Sequence, residues 1–271
     1  MPSQRNEIVP DVPIVECPDG KLGLPVRTTQ SSTEIDWFDE YTDQFLERFL
    51  PIANSRLKDS IKHYMTDFLE YYFIAHYERI KLTIELLKDI VKPNDTILDL
   101  GSIFPLSTYW FYQQRKAKVV CADLCPTNWQ ISDTLFSDTI DLNSTMLEHL
   151  GGWPVINFQE VIEHLTCNLT EARDRIVKAL APGGYLLFGC PLISPHVRCL
   201  DKDLGKAVHV GDTIREAFTA TLDPATVPAD HKREFFINET EDFFPLRKVA
   251  TKVVFTIGYT RGTVLILYRK D

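Results

Sequence analysis

The chain is poor in glycine, with only 12 in 271 residues. That shortage bears on any phosphate-cradling loop, as developed below. It also lacks a basic excess: 29 Lys and Arg stand against 38 Asp and Glu, a formal charge of −9, with a pI near 5.3. An acidic chain is poorly suited to gripping nucleic acid by counterion release, although a local basic groove stays open. Long apolar runs are missing too. Tyr185–Cys190 and Thr263–Tyr268 are far too short to span a bilayer. The segment Met1-Pro-Ser-Gln-Arg-Asn-Glu has no apolar h-region, so no signal peptide is expected and the expected location is the cytoplasm. Cys17, Cys121, Cys125, Cys167, Cys190 and Cys199 contain no CxxC pair and complete no zinc set. They read as reduced thiols that pack as small apolar groups. What remains is the composition of a soluble globular chain, long enough for one large domain or one domain with an appendage.

Three textures follow one another along the chain. Residues 1–33 carry scattered prolines and no helical period, and read as an extended or flexible arm. Residues 34–92 read as a helical cap of three helices. Their apolar stripes are Phe38, Tyr41, Phe45 and Phe49; then Ile61 to Tyr72; then Ile80, Ile84, Leu87 and Val91. Residues 93–271 alternate strand and helix. Strands are expected at Thr96–Leu100, Lys118–Ala122, weakly before Asp141, at Val155–Phe158 and at Tyr185–Gly189. Helices are expected at Leu106–Arg115 and up to Leu180, the second starting near Gln159 or after Asn168. Ala181-Pro-Gly-Gly184 reads as a turn, residues 191–235 as a lid-like insertion, and Glu239–Phe244 as a short helix. Lys252–Tyr259 and Thr263–Arg269 read as an antiparallel hairpin. The fold class is therefore α/β: a Rossmann-like, doubly wound, mostly parallel sheet with an antiparallel C-terminal hairpin and an N-terminal helical cap.

In such a sheet ligands bind at the carboxyl ends of the strands, near the switch point. Here those ends carry Asp99-Leu-Gly101-Ser102, Asp123-Leu124, Asp141-Leu142 and Gln159-Glu160. Successive carboxylates oppose a pyrophosphate and suit a cationic ligand with a ribose diol, whose hydroxyls a strand-end carboxylate accepts. A G-x-G-x-x-G loop begun at Gly101 would need glycine at 103 and 106, where the chain has Ile103 and Leu106. The glycine shortage thus disfavours a dinucleotide and leaves S-adenosylmethionine (SAM), which has no phosphate.

The stretches Thr96-Ile-Leu-Asp-Leu-Gly101, Val119-Val-Cys-Ala-Asp123, Val155-Ile-Asn-Phe-Gln-Glu-Val-Ile-Glu-His-Leu165 and Leu180-Ala-Pro-Gly-Gly-Tyr-Leu-Leu-Phe188 occur in this order. Together they resemble the class I SAM-dependent methyltransferases, with a core like that of the ubiquinone-pathway and type 11–12 methyltransferases. The resemblance covers about residues 76–271 and implies that Asp99 and Gly101 lie beside the methionine part of SAM. It further implies that Asp123 holds the ribose and that Asp141 and Leu142 meet the adenine, with Ser102, Leu124 and Gln159 as further cofactor-binding candidates. Arg79 is a candidate clamp on the SAM carboxylate. The first loop departs from the family in carrying one glycine where two or three are usual.

Glu160, Glu163 and His164 are spaced i, i+3, i+4, so a helix would place them on one face at the mouth of the site. Two chemistries fit. His164 acts as a general base on the acceptor, or the three groups bind a divalent metal that acidifies an acceptor hydroxyl. The metal version draws on a weaker resemblance. In small-RNA 3′-terminal 2′-O-methyltransferases, similar E-x-x-E-H and D-H-K-x-E segments bind magnesium, which here points to Glu160, Glu163, His164 and His231. E-x-x-E-H also occurs in metal-free members, and the acidic pI disfavours an RNA substrate. The expectation is methyl transfer from SAM to a small-molecule acceptor, at a hydroxyl oxygen. Two alternatives stay open: a metal-dependent 2′-O-methyltransferase-like enzyme acting on RNA or sugar, and an inactive methyltransferase-like binding protein.

Overall fold

A computed structural model describes residues 37–56, 73, 76–124, 129–142, 151–191, 240, 242–255 and 262–271. All of them belong to one compact unit, Ser32–Asp271. The expected arm, the middle helical stripe up to Tyr72, nearly all of the insertion 191–235 and His231 lie outside the described residues.

The first helix, α1 (Trp37–Arg56), starts with Asp39 and Glu40 in its first turn, favourable against the helix dipole. Its stripe Phe38, Tyr41, Phe45 and Phe49 is buried, each ring contributing about 1.5–3 kcal/mol. The next helix, α2 (Tyr77–Leu87), buries Ile80, Ile84 and Leu87. The chain then enters β1 (Thr96–Leu100), α3 (Thr108–Arg115), β2 (Lys118–Asp123), β3 (Gln130–Ser132) and β4 (Leu135–Thr139). It continues through β5 (Trp153–Gln159), a single 3₁₀ turn at Ile162–His164, α4 (Leu169–Ala179), β6 (Leu180–Pro191), β7 (Arg247–Phe255) and β8 (Gly262–Arg269).

The eight strands form one sheet in the order β3-β4-β2-β1-β5-β6-β8-β7. From β4 to β6 neighbours are parallel; β8 and β7 close the sheet antiparallel. The chain runs outward from β1 through β2 in one direction and from β5 through β6 in the other. The switch point therefore lies between β1 and β5.

Strand periodicity sorts the side chains onto two faces. Ile97, Val119, Val155, Leu187 and Leu265 join α1, α2 and α3 in one core. Leu98, Val120, Ile156, Leu186 and Ile266 join α4 in the other. Helices cover both faces, which is the doubly wound architecture expected.

α4 takes the second of its two expected starts, after Asn168, whose side chain accepts from the Thr170 amide at 2.9 Å as an N-cap. Several other local expectations are corrected. Glu160, Glu163 and His164 consequently precede α4 and share no helix. Ala181–Gly184 stays within β6, because Gly183 and Gly184 exchange backbone hydrogen bonds with Lys270 at 2.9 Å. Residues 242–246 bend instead of continuing a helix, and bury Phe243 and Phe244 against Phe188. β7 starts at Arg247, five residues before the expected Lys252, and β3 was not foreseen.

Candidate active site

β1 carries buried Asp99 as its penultimate residue and passes through Leu100 into Gly101, whose φ of +70° an L side chain rarely adopts. The Gly101 amide donates to the Ala122 carbonyl at 2.6 Å, tying the loop to β2. A Cβ on Gly101 would lie 2.0 Å from Cγ2 of Val161. The loops after β1 and β5 are thus in close contact, and only glycine fits between them. After β5, Glu160 takes φ +55°, a conformation costing roughly 1–3 kcal/mol for a residue with a side chain. Its amide donates to the Gly189 carbonyl at 3.0 Å. That turn folds the next residues into the 3₁₀ turn over the strand ends.

A hydrogen-bonded chain crosses the switch point. Thr108 Oγ1 donates to Asp99 Oδ2 at 2.5 Å, and Asn157 Nδ2 donates to Asp99 Oδ1 at 2.7 Å. Gln159 Nε2 donates to Asn157 Oδ1 at 2.6 Å and to Thr83 Oγ1 at 3.0 Å. Thr83 Oγ1 in turn donates to the Arg79 carbonyl at 2.8 Å. Burial raises the Asp99 pKa to about 6, against the opposing pull of Thr108, Asn157, Ser102 and the Arg79 charge. His76, just before α2, is kept well below the usual imidazole value, by burial first and the Arg79 charge second.

Two adjoining cavities, of ≈ 300 and ≈ 260 Å³, open over these strand ends. Arg79, Asp99, Ser102 and Gln159 line the first, and Leu124, Asp141 and Leu142 line the second. Gly101, Asp123, Glu160 and His164 line both. Every residue nominated from sequence for the cofactor therefore lines one or both of these adjoining cavities. Asn157, Thr83 and Thr108 were missed. Asn157 was detectable as the polar residue within the apolar run Val155–Phe158, the kind of buried polar group that carries information.

The acidic–histidine cluster divides. His164 is 36% exposed, whereas Glu163 is 1% exposed and lines neither cavity. His164 Nε2 lies 3.7 Å from Glu163 Oε1, an ion-pair distance rather than a hydrogen bond. Glu160 Oε1 is buried without a hydrogen-bond partner among the described residues. Among those residues no group of three His, Cys, Asp or Glu is placed to hold a metal. His231, the fourth nominated ligand, lies outside them.

No protein-family model matches the sequence, and no curated protein matches it. Solved structures do. A geranyl diphosphate methyltransferase in complex with SAM is 14% identical, with a TM-score of 0.50 over 70% of this chain and 85% of that one. The N-methyltransferase NodS from Bradyrhizobium japonicum WM9, in complex with S-adenosyl-L-homocysteine, is 17% identical, with a TM-score of 0.46 over 72% and 87%. The [4+2]-cyclase SpnF is 12% identical, with a TM-score of 0.49 over 71% and 80%. The fold is that of the class I SAM-dependent methyltransferases. No helix among the described residues is long and apolar enough to cross a membrane.

Proposed function

We propose that the protein is a SAM-dependent methyltransferase acting on a small-molecule acceptor, at a hydroxyl oxygen. One observation carries the reading: the residues nominated from sequence at four strand ends and on α2 line two adjoining cavities at the switch point. The cleft fits the cofactor on its own chemistry. Its carboxylates Asp99, Asp123 and Glu160 suit a sulfonium and an ammonium, and buried Arg79 suits a carboxylate. The orphaned Glu160 Oε1 is an acceptor that needs a donor. Two arms of the cleft, one on each side of Gly101, match an elongated ligand. When bound, SAM supplies a methyl carbon already made electrophilic by its sulfonium.

The chain's residues then have little covalent chemistry to do and much positioning. Asp123 accepts the ribose hydroxyls, Asp141 and Leu142 flank the adenine, and Arg79 pairs with the carboxylate. His164, half in the cleft, takes the acceptor's proton. The buried Glu163 carboxylate, 3.7 Å from His164 Nε2, stabilises the imidazolium that forms. A helical cap at 34–92 and a catalytic core at 93–271 are the proposed division of the chain.

The test is methyl transfer from labelled SAM to a panel of phenols, sugars and aliphatic alcohols, with amines as the counter-panel. Transfer to a hydroxyl supports the reading. Transfer to amines alone overturns the acceptor assignment, and cofactor binding without any transfer favours the inactive binding protein.

A further inference from the structure

The loop Gly101–Ser107 lines the cleft yet carries one glycine, and Pro105 keeps Phe104 out of the helical region. Backbone amides of Leu106 and Tyr109 reach its Phe104 and Pro105 carbonyls at 2.8 and 2.9 Å, and three of its carbonyls accept from side chains, two of these donors lying outside the loop. Trp129 Nε1 donates to the Ile103 carbonyl at 2.9 Å. The Tyr41 hydroxyl, brought in by α1, donates to the Leu106 carbonyl. Within the loop, Ser102 Oγ donates to the Phe104 carbonyl at 2.5 Å.

Both outside donors are held rigidly. Tyr41 and Trp129 are 3% and 1% exposed. The Phe49 ring lies 5.6 Å from Trp129, and the loop's own Phe104 stacks on Trp129 at 6.2 Å. Burial raises the Tyr41 pKa well above its ordinary value, so the hydroxyl stays a donor throughout the physiological range.

We propose that Tyr41 and Trp129 are positioning residues for the cofactor loop. Resting on the methyl-donor reading of the cleft, this assigns to two anchored carbonyls the backbone geometry that further glycines would otherwise permit. α1 is then part of the binding apparatus and not only a cover on the sheet. Releasing one anchor lowers the fraction of molecules whose loop is competent to bind, and the apparent Kd rises by the inverse of that fraction.

Tyr41→Phe removes only the hydroxyl and keeps the ring in the cluster; Trp129→Phe is the companion. Calorimetry with S-adenosyl-L-homocysteine should show about fivefold weaker binding for Tyr41→Phe and a larger loss for the double variant. The unliganded Tm of Tyr41→Phe should stay within a few degrees of the parent, while the amides of 102–104, 106 and 107 exchange hydrogen faster. Unchanged affinity in Tyr41→Phe, with the parent binding normally, overturns the proposal. If the parent itself does not bind, the methyl-donor reading fails instead. Hydrogen exchange then decides the anchoring alone, and unchanged exchange at the amides of 102–104, 106 and 107 refutes it.

Discussion

The side-chain amide of Asn157 donates to Oδ1 of Asp99 at 2.7 Å, joining β5 to β1 at the point where the sheet reverses its winding. With Thr108 on the other oxygen, both carboxylate oxygens of Asp99 are occupied in a fully buried site. Burial outweighs those bonds and lifts the pKa from 3.8 to about 6.

A pH prediction follows from the sign of that shift. Between about pH 4 and pH 6 the folded chain binds a proton at Asp99 that the unfolded chain has released. Stability from this group is therefore highest below pH 4 and falls by about 3 kcal/mol as pH rises past 6. Asp99→Asn, which cannot ionise, should gain about that much relative to the parent across the window. Urea unfolding at several pH values measures the difference, and a pH-independent gap contradicts the account.

At Gly101 the expected cost is steric and conformational together. Gly101→Ala meets Val161 at 2.0 Å and forces φ +70° on a residue with a Cβ, for a loss of roughly 2–4 kcal/mol. Adding Val161→Ala should recover the steric part and leave the conformational part. A parent-like denaturation midpoint for Gly101→Ala would contradict the close packing of Gly101 on Val161.

His164 and Glu163 separate chemistry from binding. His164→Gln should lower turnover by about 10²–10⁴-fold while S-adenosyl-L-homocysteine binds within about twofold of the parent. Loss of both together would place His164 in the cofactor site rather than beside the acceptor.

A chelator should leave transfer unchanged, because Glu163 is turned inward and does not join Glu160 and His164 at the cleft. Activity lost with EDTA and restored by magnesium would reinstate the metal reading.

The sheet was legible in the sequence because its signals are local: Val119–Ala122 and most of Val155–Phe158 are apolar, and Asp99, Asp123, Asp141 and Glu160 lie at or just beyond strand ends. The start of α4 was less so. The spacing of Glu160, Glu163 and His164 imitates a helical face, and the competing signal was the Asn168 N-cap. The partners of Asn157, Thr83 and Tyr41 were not legible because they lie 58 to 76 residues away along the chain, although Asn157 itself stood out as a polar residue in an apolar run.

The central claim is that the cleft over β1, β2 and β5 binds the methyl donor, with Asp123 on the ribose. Calorimetry with S-adenosyl-L-homocysteine on the parent and on Asp123→Ala tests it most directly. The account predicts one site of micromolar affinity, weakened about 30-fold by the substitution through loss of hydrogen bonds to a charged acceptor. No heat of binding from the parent at millimolar ligand, or equal affinity in the two proteins, would contradict it.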